Sequence, residues 1–379
     1  MKRVFLSKGR DSMGAYYILL GIIILQWMLL YPNRKITFNY QIGMRQRKWF
    51  CVLACVELIC FAGIRTMHIG ADTAMYIKAL EYLRLIPRKN ILYAKLIYPF
   101  DFEIGYAFLT KICAALSMSN TEFLYLIAMI IYIPVFVFIF YYSSHPLIST
   151  LTYFALGIFG YSLGIFRQMI AISIILCGLK YIEEQKFLKY CIYIFIAMLF
   201  HTTAIIALPL YWLFKFNIKN KLMWIITLEV VILFFSRIIV LFIVKIFPSY
   251  AGYINSQYDI QGGSYIMLFI FNIVLIIAYY MVRKGQIVYY GMEKLAVNST
   301  ICMVYLQIMG YSMGIFGRII PYYSIFLLIL VPCILENLQI KNKPLLHILC
   351  IGVLLMMFYY TNNNAMLVPF TTVFSLKVY

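Results

Sequence analysis

Long apolar runs separated by short, mostly basic stretches set the pattern of this chain. EFLYLIAMIIYIPVFVFIFYY (122–142) and SYIMLFIFNIVLIIAYYMV (264–282) are typical. Each is long enough, as a helix, to cross a hydrocarbon layer about 30 Å thick. The pattern predicts spans near 14–31, 49–64, 122–142, 147–165, 169–182, 187–200, 202–214, 222–245, 264–282, 295–313, 319–336 and 345–360. The run GYAFLTKICAALSM (105–118) is short for a crossing and holds Lys111, so it reads as a re-entrant half-helix. The expectation is an all-α polytopic transmembrane helix bundle of about 11–12 spans plus that short segment. Residues 1–379 form a single integral membrane domain in this reading.

Composition agrees. The chain is 64% hydrophobic and 12% charged, which would leave a soluble fold of this length with a greasy exterior. Its 34 Tyr and 30 Phe suit membrane interfaces and helix contacts. The net charge of +19 would point to nucleic acid in a soluble domain. Here most lysines lie in short loops, where the positive-inside bias explains them and no nucleic acid is expected. All nine cysteines sit in apolar segments without a CxxC or Cys/His metal pattern, so they read as packing residues. The first apolar run is too long for a signal-peptide h-region and lacks a small-residue cleavage site.

Loop charge also sets orientation. The stretches at 32–48, 183–189, 215–221, 283–286 and 341–343 are basic and read as cytoplasmic. The N-terminal MKRVFLSKGR is basic too, but the longer 32–48 stretch governs and places the N-terminus outside. Keeping both 183–189 and 215–221 inside requires a hairpin of two short helices turning at FHTT (200–203), with His201 outward. Parity then sets Arg65, Arg167, His201 and Arg318 on one external face, with the tail 361–379 external as well.

Two stretches echo each other there: YSLGIFRQMI (161–170) and YSMGIFGRII (311–320), each leading to an arginine. One arginine at a helix end can snorkel to lipid phosphate. A set of three on the outer face runs against the charge bias and suits a multi-oxygen anion, since guanidinium offers bidentate donors and keeps its charge. A lipid-linked phosphate or pyrophosphate fits both place and chemistry. GIRTMHIGADTAMY (63–76) adds Arg65, His68, Asp72 and Tyr76. Asp72 either caps the helix starting at Thr73 or serves as a base. In PFDFEIGY (99–106), Asp101 reads as a complement to a helix dipole and Glu103 as the second candidate carboxylate. His201 is either a hydrogen-bonded structural residue or a proton handler. No Walker loop, Rossmann glycine pattern, zinc signature or DxD pair is present, so metal-independent chemistry without a cofactor is expected.

These motifs, together with FEIGYAFLTK, the stretch from FRQMIAISIIL to LFHTTAIIALPLYWL, and GRIIPYYSIFLLILVP, resemble the EpsG-type Wzy polysaccharide (O-antigen or exopolysaccharide) polymerases. They cover roughly residues 50–335 in family order, the R-Q…F-H pair being the most specific. The resemblance implies a GT-C-like bundle in the bacterial inner (cytoplasmic) membrane. It implies a glycosyltransferase that moves a glycan from undecaprenyl pyrophosphate to the next lipid-linked repeat unit on the periplasmic face. Arg167 and Arg318, aided by Arg65, would hold the pyrophosphate. Asp72 or Glu103 would activate the acceptor hydroxyl with His201 assisting, and Tyr76 and Gln168 would be secondary. Its expected partners are the undecaprenyl-pyrophosphate-linked oligosaccharide, membrane lipid and a chain-length regulator protein. Rival readings are an O-antigen ligase-type transferase, a flippase or transporter of lipid-linked oligosaccharide, and a membrane O-acyltransferase. A ligase would need a larger loop than the seventeen or so residues of 246–262, and an acyltransferase an intramembrane histidine.

Overall fold

The computed structural model describes residues 13–31, 43–96, 100–246, 264–364 and 366–374. The basic N-terminal segment, most of the basic stretch 32–48 and nearly all of the connection 246–262 lie outside the described residues. Among the described residues 76% are helical and none forms a strand, which makes the fold all-α.

The chain opens with α1 (Gly14–Leu30) and α2 (Met44–Gly63), followed by α3 (Thr73–Arg84), α4 (Arg88–Ile91) and α5 (Ile104–Ala115). Next come α6 (Asn120–Tyr142), α7 (Pro146–Ala155), α8 (Ile158–Ser162), α9 (Phe166–Glu183) and α10 (Phe187–Phe200). A 3-10 turn (Thr202–Ala207) leads into α11 (Leu210–Lys215), then α12 (Leu222–Ile246), α13 (Tyr265–Arg283) and α14 (Gly291–Ser312). A second 3-10 turn (Gly314–Arg318) precedes α15 (Pro321–Ser324), α16 (Leu327–Asn337) and α17 (Lys343–Asn362).

Four of these helices, Asn120–Tyr142, Leu222–Phe242, Tyr265–Arg283 and Lys343–Asn362, are by themselves long and apolar enough to span. A fifth span forms if the pair Phe316–Ser324 and Leu327–Asn337, bent by 51°, counts as one. On α12, Phe234, Ile238 and Phe242 are 77%, 63% and 62% exposed. Side chains of that size, uncovered one turn after another, face hydrocarbon rather than water. The bundle is a multi-pass membrane protein. Several helices outrun the apolar windows of the sequence: α2 starts at Met44 and α14 at Gly291. Polar first turns such as MRQRK and GMEK continue a helix wherever they reach headgroups or water.

Side-chain bonds fix which loops share an end. Arg47, at the start of α2, donates to the Ile139 carbonyl at 3.2 Å and to that of Ser143, at the end of α6. The Tyr142 hydroxyl reaches Glu183 Oε2 at 2.8 Å, and Tyr211 donates to the Gln185 carbonyl at 2.9 Å. Arg283 donates to Asn220 at 2.7 Å and Lys294 to the Lys215 carbonyl at 3.0 Å. These contacts gather the 143–146, 183–187, 215–221 and 283–291 connections at one pole, called here the basic end. His201 therefore tops a hairpin: α10 leaves the basic end, and the following 3-10 turn and α11 return to it.

α3 and α5 do not cross. Gly63 lies against the Tyr125 ring, so α6 begins at the end where α2 finishes. Its start is set by the capping box of Ser119 and Glu122, at 3.2 and 2.6 Å, a device worth about 1 kcal/mol. Arg84, closing α3, donates to the Met118 carbonyl at 3.3 Å and to Asn120 Oδ1 at 2.7 Å. Both helices thus start and finish on the same side of the bundle, above α10, whose Leu199 carbonyl touches Gly105.

Residues 163–165 join α8 to α9 and are clamped from several directions. The Leu163 carbonyl accepts from Thr73 Oγ1 at 2.8 Å and from Arg65 Nη2 at 3.0 Å. Gly70, at φ +100, and Gly164 bring their backbones together: a Cβ on Gly164 would lie 2.3 Å from the Ala71 nitrogen. Gly164→Ala must push the two segments apart, and we expect it to lower stability by about 1–3 kcal/mol in a detergent thermal melt. The control Gly352→Ala, where a Cβ meets nothing within 4 Å, should leave the melt unchanged.

The tail was expected on this face, and it also docks there. Val373 donates to the Ile64 carbonyl at 2.9 Å, Thr66 to that of Thr371 at 3.0 Å and Gly70 to that of Met366 at 2.7 Å. The Tyr16 hydroxyl adds a bond to the Leu367 carbonyl at 2.6 Å.

Candidate functional site

α9 opens with an arginine in its first turn, where the helix dipole disfavours a cation. Glu103, the residue preceding α5, supplies the compensating charge: its Oε2 lies 2.5 Å from Arg167 Nη1. Its other oxygen, Oε1, accepts from His201 Nδ1 at 2.8 Å and from the Thr202 amide at 3.4 Å. His201 ends α10 with extended backbone (φ −157, ψ 116), and a cation is welcome at that helix terminus. Three elements distant in sequence thus deliver one carboxylate, one guanidinium and one imidazole to a single point. Side-chain exposure is 14% for Glu103 and 22% for each partner, so the cluster is secluded yet open to a ligand.

Burial alone would raise the Glu103 carboxyl. The His201 hydrogen bond and the Arg167 charge outweigh it and hold the group down at about 2. An ionised carboxylate only accepts, so Nδ1 of His201 carries the donated proton. Nε2 is left to accept a proton from elsewhere. Phe102 packs beneath the guanidinium, 5.2 Å from ring centre to Arg167 Cζ, and the Tyr76 hydroxyl accepts from Nε at 3.4 Å. Tyr76 itself stacks on Phe166 at 4.8 Å.

The echoed stretches meet here. Gln168, beside Arg167, donates through Nε2 to the Arg318 carbonyl. Arg318 itself is exposed and lines a cavity of about 800 Å³ with Tyr161, Gly164, Ser264, Gln307 and Asn362. Arg167, Glu103 and His201 do not line that cavity; residues 164 and 165 form part of its wall, leading into the cluster. The two regions are neighbours across one turn of chain. Thr203 pairs with the Tyr322 hydroxyl at 3.2 Å, and Tyr323 donates to the Ile206 carbonyl at 2.6 Å, tying the His201 hairpin to α15.

Other candidates sit elsewhere. Arg65 is 1% exposed, donates to the Ala62 and Leu163 carbonyls, and lies over the Phe166 ring at 5.3 Å. Asp72 occupies the position before α3 and makes no side-chain cap there; its carbonyl accepts from Tyr76 at 3.2 Å. Asp101 and His68 are exposed. Sequence reading passed over Gln307 and Asn362 in the cavity wall. A glutamine inside the apolar run 295–313 was a readable sign of a polar lumen.

Fold and site together define a class: a multi-pass helical membrane protein with an ion-paired carboxylate, arginine and histidine at one end and a roomy cavity beside them. Residues 48–372 match the model of the EpsG family, and the chain belongs to that family. It is accordingly a polysaccharide-polymerase-like, glycosyltransferase-like membrane protein. Comparison with curated proteins and with solved structures found no match.

Proposed function

We propose that the chain transfers a growing glycan from a polyprenyl pyrophosphate, with undecaprenyl pyrophosphate as the carrier, to the non-reducing sugar of the next lipid-linked repeat unit. The observation that carries this reading is Glu103 bonded at once to Arg167 and His201, beside the Arg318 cavity. In this scheme His201 Nε2 takes the proton from the acceptor hydroxyl as its oxygen attacks the donor's anomeric carbon. The bond from that carbon to the phosphate oxygen breaks, and the pyrophosphate leaves with the electron pair. Arg318, with the Nη2 group of Arg167, meets the charge that grows on the departing phosphate. Glu103 orients the imidazole and does not act as the base, since its low proton affinity and occupied oxygens suit it poorly to that task. Arg65 acts through the loop it holds, and no metal takes part. Asp72 is the reserve candidate for the base.

Arg318→Ala and Arg167→Ala are expected to leave single repeat units on the carrier in place of long polymer, read as a ladder on a sizing gel. Normal long ladders from both variants would remove the polymerase assignment. The active face is proposed to be the outer face of the inner membrane. A cysteine placed at Thr202 should react with an impermeant thiol reagent added outside the cytoplasmic membrane, against the parent chain as control. Labelling only from the cytoplasmic side would reverse the orientation.

A further inference from the structure

At the basic end, far from the cluster just described, His145, Glu336 and His347 bring one ligand atom each to within 4.8 Å of one another. Tetrahedral ligands at bonds of about 2.0–2.1 Å stand about 3.4 Å apart, so small side-chain movements would close the set. His145 precedes α7, Glu336 lies in the last turn of α16 and His347 lies in the first turns of α17. His145 and His347 are 4% and 0% exposed.

The hydrogen bonding around His347 has a metal ligand's form. Its Nδ1 lies 2.8 Å from the Lys343 carbonyl, which can only accept, so Nδ1 carries the proton. Nε2 then faces Glu336 Oε1 at 3.1 Å. A positive species belongs between an imidazole nitrogen and a carboxylate at that range, either a proton on the ring or a cation ligated by both. A backbone carbonyl that fixes the Nδ1–H tautomer is the usual outer partner of a metal-bound histidine. His145 stands 5.5 Å from His347, ring centre to ring centre, with Trp27 against its other side at 4.6 Å. Its Nδ1 accepts from the Ile148 amide at 3.4 Å, a long contact that ligation through either ring nitrogen would release.

We propose that His145, Glu336 and His347 form a site for a divalent transition metal of the zinc class, a staple fastening α7, α16 and α17 at the end opposite the transfer cluster. Two imidazoles and a carboxylate suit zinc, cobalt or nickel rather than magnesium or calcium. The fourth position falls to water. The site is independent of the proposed reaction, since neither the cavity nor the Glu103 cluster includes any of its residues.

The test uses the full chain in detergent, freed of any histidine tag, stripped with chelator and titrated with Co²⁺. One Co²⁺ per chain with a visible d–d spectrum, displaced by Zn²⁺ and raising the melting temperature, is expected. His347→Gln and Glu336→Gln should lose that uptake while the metal-free melt stays near the parent's. A parent chain that takes up neither Co²⁺ nor Zn²⁺ overturns the site whatever the variants do. Unchanged stoichiometry in the double variant overturns it too. If a variant does not fold, X-ray absorption of Zn²⁺ on the parent decides: nitrogen and oxygen ligands support the site, and thiolate sulfur from the nine cysteines refutes it.

Discussion

Glu103→Gln should stop polymer growth while leaving the chain folded in the membrane. The amide keeps the shape of the carboxylate but not its charge. It can accept from either Arg167 or His201 through its single oxygen and must present a donor to the other. Removing one member of a fully buried ionic set costs about 3–5 kcal/mol. At 14–22% exposure water relieves part of that, and about 2 kcal/mol is the expected loss of stability. The larger effect falls on chemistry. Without the carboxylate, His201 is no longer held with Nδ1–H inward, and a base lost or misaligned lowers the rate by about 10²–10⁴. Glycan sizing together with a detergent melt reads both numbers, and full-length polymer from the variant would exclude Glu103 from the machinery. The pH dependence has a definite sign. Glu103 titrates at about 2, below its unfolded value of about 4.3. Its ion pairing is therefore fully present above roughly pH 5 and disappears as pH falls through about 2. Any acid limb in activity between pH 5 and 8 must then come from another group.

Arg65→Ala should fail at an earlier stage, in assembly. Its guanidinium is 1% exposed and its donors close the Ala62 and Leu163 carbonyls. Alanine would take one donor from each carbonyl, leaving Leu163 only its bond from Thr73, and leave a hole beside Phe166, for a combined loss of about 3–5 kcal/mol. Low yield and a depressed melting temperature are expected, with activity falling in proportion to folded protein. Arg318→Ala, by contrast, removes an exposed side chain and should melt like the parent while making no polymer. If Arg65→Ala melts normally, the residue belongs instead with Arg167 and Arg318, the arginines proposed to meet the pyrophosphate.

These two arginines illustrate what sequence pattern reveals. Periodicity and loop charge were enough to bring Arg65, Arg167, His201 and Arg318 to one end, because parity depends only on counting helices. They could not tell which arginine faces a cavity, since that turns on a side-chain direction fixed by Gly164, Thr73 and the Leu163 carbonyl. Glu103 was legible as a candidate carboxylate next to a short helix. Its double pairing, across 64 and 98 residues, depends on how α5 lies over α10. The spans read as 147–165 and 319–336 were each one apolar window, yet a left-handed Gly157 and a 51° bend divide them. Hydropathy is indifferent to such breaks. The docking of residues 366–373 through backbone bonds carries almost no side-chain signature, and His145 and His347 stand too far apart in sequence to form a motif.

The hairpin at His201 has a consequence for the surrounding lipid. α10 is 14 residues long, about 21 Å of helix against a hydrocarbon thickness of about 30 Å. Its outer flank, Leu188, Ile192 and Phe195, is bare, so bilayer must meet a wall shorter than itself. Hydrophobic mismatch of this kind is relieved by local thinning, at fractions of a kcal/mol per ångström. Ile104, Phe108 and Ile112 on α5, with Leu116 just after it, are exposed as well, an apolar face suited to the displaced chains. On the proposed reaction, a leaflet thinned there would bring a carrier phosphate at headgroup level closer to Glu103, Arg167 and His201.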